Sequence, residues 1–351
     1  MKKRGYMLKG YTYEYKRNYL IDNLKVILIF LVVLGHTIEH YINQNYILRG
    51  IYVYIYIFHM PLFIYISGYL SKKNLKSVNG IIKKLILPYL FFNTMWYLCV
   101  YLVTGENMFS IFYPGWTLWY LISLFFWRIS VMYITKIKFI IPISFIVGLL
   151  IGLDKTGENF LSLSRTIVFL PFFLMGYYTK EKFLNNISSI KKSIGIIIMG
   201  VVLLISMYIA KEQIVNYKFL YNSHGYSSNN LSIYSGILFR FILYILSIIL
   251  SIGVIILTPS RKVFYSKFGK NTMNVYLFHI YLVAIVLGIV PKWNISFLHN
   301  LIVITSPFFI MILLSQNFMK VVYKYIFIPI NYIFDVILRI IKNIYFKIIK
   351  I

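Results

Sequence analysis

Acidic residues are scarce in this sequence, which has nine Asp and Glu among 351 residues and 13% charged residues of both signs. A soluble domain of this length needs far more charge to cover its surface. Hydrophobic residues make up 60% of the chain, and long apolar runs recur along it. An apolar helix of roughly 20 residues crosses the hydrocarbon core of a bilayer. The composition therefore excludes a soluble protein and indicates one that is embedded in a lipid bilayer.

Cysteine is nearly absent too, since the single Cys99 lies within an apolar run. This excludes a disulfide framework and a cysteine metal site, and we expect no metal. A cleavable signal peptide is not expected, because the first apolar run begins near Leu24 and ends at Gly35-His36 without a small-residue cleavage site. Residues 194–205 lack the alternation of apolar and polar residues that barrel strands show, so helices are predicted.

The apolar runs predict an all-α fold, a polytopic transmembrane helical bundle of about ten spans. With the N-terminus inside, 27 of the 36 Lys and Arg fall in cytoplasmic segments and 6 in outer loops, which places both termini in the cytoplasm. This alternation argues against nucleic acid as a partner and favours a multi-pass protein of the cytoplasmic membrane. The predicted spans are 24–41, 51–71, 82–104, 116–134, 138–153, 164–179, 193–210, 233–257, 273–290 and 300–319.

Three segments organise the chain in this prediction. Residues 1–23 form a basic cytoplasmic N-terminal segment, residues 24–319 the membrane domain, and residues 320–351 a basic C-terminal tail. The tail is rich in Ile, Tyr and Phe but carries six Lys and Arg, so we expect a helix on the cytoplasmic membrane surface rather than another span. The sequence shows no internal repeat of the kind found in many secondary transporters.

Polar residues inside the predicted spans are candidate site residues, because an ionisable group is unfavourable in a bilayer. In the first span Lys25 and His36 are eleven residues apart, which puts them on one helix face about 16 Å apart. Glu39 follows His36 by one turn, and His59 in the second span has a similar depth. We expect these side chains to line a cavity. Simpler roles exist, since Lys25 can snorkel to the inner surface and either histidine can bond a neighbouring helix.

Further basic residues lie at the inner ends of the predicted second and third spans and inside the fourth. They are Lys72, Lys73, Lys83, Lys84 and Arg128. The lysine pairs serve either as topological signals or as contacts to an anionic ligand. A buried Arg128, in contrast, needs a partner or water. Trp116, Trp119 and Tyr120 are interpreted as an interfacial aromatic belt. His279, in the ninth span, is interpreted first as a histidine that bonds a neighbouring helix.

Six short motifs follow one another along residues 19–325. They comprise residues 19–25 with 34–36, 58–63 with 66–70, 87–89, 118–121 with Arg128, 171–173 with 175–177, and 268–272 with 275–279. In this order and spacing they resemble the acyltransferase-3 family of integral membrane acyltransferases. The segment Phe58-His59-Met60-Pro61-Leu62-Phe63 is especially similar to the fucose 4-O-acetylase-like branch. One departure is Lys25, where the family often has Arg; Lys keeps the charge but lacks the bidentate fork.

The resemblance implies an O-acyltransferase that moves an acyl group, most often acetyl, from cytoplasmic acetyl-CoA or another acyl-CoA to a carbohydrate hydroxyl. The carbohydrate would belong to the cell surface or be exported, and polysaccharide-biosynthesis proteins are expected partners. A sugar hydroxyl needs a base to attack, and His is the usual base near neutral pH. His36 is the expected base, oriented by Glu39, while His59 would polarise the thioester carbonyl or complete a relay.

The basic residues complete this hypothesis at the inner end of the cavity. Lys25 would serve the cavity of His36 from below, and Lys72, Lys73, Lys83, Lys84 and Arg128 are candidates to hold the phosphates of the acyl-CoA. The alternative is a carrier or flippase for lipid-linked sugars or other glycans that makes no covalent bond. It stays open at this point because intramembrane ionisable residues mark transport paths as well as active sites.

Overall fold

The structure, a computed structural model, describes residues 17–72, 77–154, 159–214, 216–289 and 296–349. These residues form twelve α-helices and no β-strand. The helices are α1 (Tyr19–Ile38), α2 (Tyr46–Ser71), α3 (Val78–Thr104), α4 (Trp119–Ile134), α5 (Ile140–Leu150), α6 (Leu163–Tyr178), α7 (Glu181–Ser188), α8 (Lys192–Lys211), α9 (Ile233–Leu257), α10 (Thr272–Ile289), α11 (Ser296–Leu314) and α12 (Asn317–Ile349). Short 3-10 turns occur at Glu39–Tyr41, Tyr217–Tyr221 and Phe264–Lys270, among others.

The predicted all-α polytopic bundle is confirmed. Each of the ten predicted spans falls mainly on one helix, α1 to α6 or α8 to α11, and the last span also includes the first three residues of α12. Among the described residues, eight helices are long and apolar enough to cross a membrane, and three shorter apolar ones are Trp119–Ile134, Ile140–Leu153 and Leu301–Leu314. The number of spans and the cytoplasmic location of both termini stay predictions.

Side-chain caps explain where several helices begin. The Asn18 side chain accepts a hydrogen bond from the Ile21 amide ahead of α1, and the Asn45 side chain accepts from the Ile47 and Leu48 amides ahead of α2. Such caps satisfy amides that have no partner within the helix, which matters most near a bilayer. The cap ahead of α1 lets the helix begin at Tyr19, five residues before the predicted span.

Helix α2 is the centre of the bundle and packs against α1, α6, α8 and α9. Its contact with α6 depends on two glycines. A Cβ atom on Gly68 would collide with the backbone of Phe173, and one on Gly176 would collide with the backbone of Tyr65. Small residues let helix backbones approach closely in membranes. The close approach of α2 and α6 fixes the two helices that supply five of the eleven residues lining the outer cavity described below.

The C-terminal helix α12 packs against the first half of α3. Phe327 contacts the rings of Phe91 and Phe92, and Asp335 forms an ion pair with Lys83 at 2.6 Å. Since these contacts occur in opposite order along the two helices, α12 runs antiparallel to this part of α3. Residues Asn317–Tyr345 also meet the length and apolarity of a membrane span. The predicted location of this tail on the membrane surface therefore stays a prediction.

Candidate active site

A cavity of about 140 Å³ lies where the C-terminal end of α1 meets the middle of α2 and the start of α6, and it is called the outer cavity after the predicted topology. Its polar groups come from α1, α2, α6 and the turns Glu39–Tyr41 and Tyr217–Tyr221, and its two indole rings come from Trp119 at the start of α4 and from Trp116 just before it. The lining residues are His36, Glu39, Tyr56, His59, Met60, Trp116, Trp119, Arg165, Phe169, Leu220 and Tyr221. Three predicted site residues, His36, Glu39 and His59, are thus brought together here.

A chain of hydrogen bonds holds His36 at the edge of this cavity. Its Nδ1 lies 3.3 Å from Glu39 Oε2, and the Tyr221 hydroxyl donates to Glu39 Oε1 at 2.7 Å. A carboxylate can only accept, so Nδ1 carries the proton and Nε2 is left as the basic nitrogen. Burial, followed by the nearby Glu39 carboxylate, raises the pKa of the Tyr221 hydroxyl well above its usual value. Tyr221 therefore stays protonated and remains a donor to Glu39.

Arg165 enters the same cavity from the first turn of α6. Its Nε donates to the Tyr221 carbonyl oxygen at 3.0 Å, and its guanidinium carbon lies 5.1 Å from the centre of the Trp119 ring. A guanidinium over an indole face is an attractive arrangement. The outer cavity thus contains an imidazole (His36), a carboxylate (Glu39) and a guanidinium (Arg165) next to aromatic rings.

Two further histidines surround His36. His59 is buried, and its Nδ1 lies 2.8 Å from the Ile55 carbonyl oxygen. The ring of His279 is fully buried, 5.6 Å from the His36 ring between centroids, with Nδ1 next to backbone carbonyl oxygens of α10. Because carbonyls only accept, Nδ1 is the donor in both rings. Nε2 of His279 is buried and has no hydrogen-bond partner among the described residues.

A second, inner cavity of about 220 Å³ contains the predicted cations Lys25 and Arg128. Lys25 Nζ lies 2.9 Å from Asp22 Oδ1 and donates to the Gly269 carbonyl oxygen at 2.6 Å. Arg128 Nε donates to the Ser71 hydroxyl at 3.2 Å, and no ion pair of Arg128 occurs within the described ranges. Of the two cations in this cavity, Arg128 therefore has fewer partners that neutralise its charge.

A small cavity of about 20 Å³, called the neck below, has lining residues in common with both cavities. It shares His36, Met60 and Trp119 with the outer cavity. It shares Phe63, Tyr120 and Tyr276 with the inner one. The hydroxyls of the two tyrosines are fixed, to Ser67 at 2.6 Å and to the Thr117 carbonyl oxygen at 2.6 Å. The neck holds about one water molecule as it stands.

Three of the lysines predicted to bind phosphates, Lys72, Lys83 and Lys84, do not line the inner cavity. Lys83 is paired with Asp335 of α12, and Lys72 and Lys84 are exposed. Lys73 lies outside the described residues. Of the five candidate phosphate ligands, the structure places only Arg128 in a cavity among those it describes.

Several cavity residues escaped the sequence reasoning. Arg165 was counted with the outer loops and Trp119 with an interfacial belt, while Tyr221 lies in a long loop without periodicity. A signal existed for Arg165, because the predicted sixth span, 164–179, already includes this ionisable residue. No signal existed for Tyr221, because a loop residue's position depends on the folded chain around it.

Part of this chain is similar in sequence to known proteins. A segment of 88 residues is 40% identical to the nodulation protein NolL of Mesorhizobium japonicum, covering 22% of this chain and 24% of that protein. A segment of 84 residues is 39% identical to NolL of Sinorhizobium fredii, covering 21% and 23%. The chain thus matches about a quarter of the length of these relatives, and no solved structure matches. The acyltransferase-3 family, described as an acyltransferase domain, matches residues 18–316, and the chain belongs to this family of multi-pass membrane acyltransferases.

Proposed function

We propose that this protein is an O-acetyltransferase of the cytoplasmic membrane, similar to the fucose 4-O-acetylase-like branch of its family. It transfers acetyl from cytoplasmic acetyl-CoA to a hydroxyl of a cell-surface or exported carbohydrate. One observation carries the proposal: a single helix, α1, presents Lys25 to the inner cavity and His36 to the outer one, with a neck between them. This is the arrangement that a donor from one side and an acceptor from the other require.

The donor occupies the inner cavity in this proposal. Acyl-CoA carries several phosphate charges at one end and its thioester at the end of a long, thin arm. Arg128 and Lys25 attract the phosphates, and the arm extends about 16 Å along α1 to His36. The neck must widen for the arm to pass. Met60 and Phe63 are the walls suited to this movement, because neither side chain has a polar anchor and Met is flexible.

The acceptor occupies the outer cavity, where Trp116 and Trp119 offer flat apolar faces next to polar groups. His36 Nε2 takes the proton of the acceptor hydroxyl while the oxygen forms a bond to the thioester carbon. Collapse of the tetrahedral intermediate breaks the carbon–sulfur bond, and the CoA thiolate leaves with the proton from His36. Glu39 stabilises the imidazolium that exists between these two transfers.

The test uses the purified full-length protein in detergent or nanodiscs with acetyl-CoA labelled in the acetyl group. Neutral and acidic oligosaccharides serve as acceptors, and the product is identified by mass spectrometry. Acetyl label on a glycan hydroxyl supports the proposal, and its loss in His36→Ala supports the assigned base. In reconstituted vesicles, movement of a lipid-linked glycan without any acetylation would contradict the proposal and favour the carrier function.

A further inference from the structure

Arg165 is a cation in the outer cavity whose terminal nitrogens are not used by the fold. Its Nε is fixed by the Tyr221 carbonyl oxygen and its plane lies over Trp119. Neither terminal nitrogen makes a hydrogen bond or ion pair to the part of the chain that the structure describes. The guanidinium of Arg165 is therefore held in place through Nε, and its two terminal nitrogens are open to the cavity.

The nearest carboxylate does not neutralise this guanidinium by direct contact. Glu39 uses Oε2 for His36 and Oε1 for Tyr221. A partly buried cation without a contacting anion is unfavourable unless a ligand supplies the charge. Arg165 is therefore suited to bind a negative charge that develops during the reaction and is absent before it.

The position of Trp119 indicates where that charge arises. Trp119 lines both the outer cavity and the neck, and His36 and Met60 do the same. A thioester that emerges from the neck toward His36 must pass along this wall. Since the guanidinium lies over the Trp119 ring, Arg165 lies against the same wall that a thioester leaving the neck would follow.

We propose that Arg165 stabilises the oxyanion of the tetrahedral intermediate, a role that rests on the acetyltransferase function proposed above. As the acceptor oxygen bonds to the thioester carbon and His36 takes its proton, the carbonyl π electrons move to oxygen. Arg165 donates two N–H groups to this oxygen or one to it and one to the acceptor. When the carbon–oxygen double bond re-forms, the sulfur leaves and Arg165 loses its partner again.

Preorganised donors of this kind act in the transition state and contribute little to ground-state binding. Removing one oxyanion donor typically lowers kcat by ~10²–10³. We therefore expect Arg165→Gln to lower kcat by that factor while the Km for acetyl-CoA and for the acceptor change little. Arg165→Lys keeps the charge but loses the two parallel N–H donors of the guanidinium. We expect its kcat to lie between those of wild type and Arg165→Gln.

The experiment compares Arg165→Gln, Arg165→Lys and Arg165→Gly with wild type in detergent, with and without millimolar guanidinium. Restored turnover of Arg165→Gly by guanidinium is expected, because the small cation can occupy the vacated space, and a purely structural role would not be rescued. Arg49→Gln is the matched control. Its three nitrogens bond carbonyl oxygens of Ile42, Asn43 and Ala210 and do not line the cavity, so kcat should be unchanged.

Two results would overturn the inference. A raised acceptor Km at unchanged kcat would make Arg165 an acceptor-binding residue, and wild-type kcat in all three variants would remove it from the reaction. Thermal unfolding and acetyl-CoA binding, measured on each variant, separate these results from misfolding. If wild type itself transferred no acetyl group, the proposed function would fail instead, and the two failures are thereby distinguishable.

Discussion

The outer and inner cavities lie along the same helix but are built differently. In the outer one, His36, Glu39 and Tyr221 bond to one another, so its groups are fixed relative to each other. In the inner one, Lys25 is tied to Asp22 and a backbone carbonyl, while Arg128 has one hydroxyl partner. Proton transfer requires fixed geometry, whereas phosphate binding tolerates adjustable cations. This difference supports the proposal that the chemistry occurs in the outer cavity and donor binding in the inner cavity.

The largest expected effect tests the outer cavity. His36→Ala should lower acetyl transfer by ~10²–10⁴, because it removes the general base. Acetyl-CoA binding, measured by isothermal titration, should remain near that of wild type, since the inner cavity is intact. His40→Ala is the matched control, because His40 is an exposed histidine at the same end of α1 that does not line the cavity. Near wild-type transfer by His36→Ala would move the base to His59 or His279.

The next effect tests the inner cavity. Arg128→Gln and Lys25→Ala should each weaken acetyl-CoA binding by roughly 10–100-fold, the usual range for a lost charged hydrogen bond. The loss should grow at low ionic strength, where wild type gains most from its cations. Lys25→Arg should retain most activity because the charge persists. If kcat fell instead and donor affinity did not change, the two cavities would not have separate roles.

A smaller effect tests the link between Glu39 and His36. Glu39→Gln keeps the shape of the side chain but removes the charge that stabilises the imidazolium. We expect kcat to fall by about 10-fold or more with donor affinity unchanged, measured by initial rates at saturating acetyl-CoA. Glu106→Gln, an exposed loop change, serves as its control. A loss of donor affinity in Glu39→Gln would show that the outer cavity also contributes to donor binding.

The smallest effect concerns Lys83, which the sequence suggested as a phosphate ligand. Its ion pair with Asp335 joins α3 to α12, and both side chains are partly exposed. Partly exposed pairs typically contribute ~0–1 kcal/mol, so Asp335→Asn and Lys83→Gln should lower the unfolding midpoint slightly. Acetyl-CoA affinity should not change in either variant. A salt-dependent loss of acetyl-CoA affinity in Lys83→Gln alone would show that Lys83 contributes to donor binding.

The sequence was sufficient for the helices and for the polar face of α1. Apolar runs of the right length recur, and a helix repeats every 3.6 residues, so Lys25 and His36 could be aligned without any knowledge of the fold. Helical periodicity could not identify the residues from other segments that lie next to the polar face of α1. Arg165 and Tyr221 line the same cavity as His36 only through the packing of α2 on α6 and the path of the loop Tyr217–Tyr221. The pairing of Lys83 with Asp335 is equally invisible, because 252 residues separate the two.

Helix α1 carries the inner cation and the outer base on one continuous stretch of hydrogen-bonded backbone from Tyr19 to Ile38. Its inner end is fastened by Asn23, whose side chain donates to the Pro259 and Arg261 carbonyl oxygens. A continuous helix transmits a displacement along its axis with little change in length. Sliding of α1 would therefore move Lys25 and His36 together, so that the proposed nucleotide contact and the proposed base are mechanically coupled.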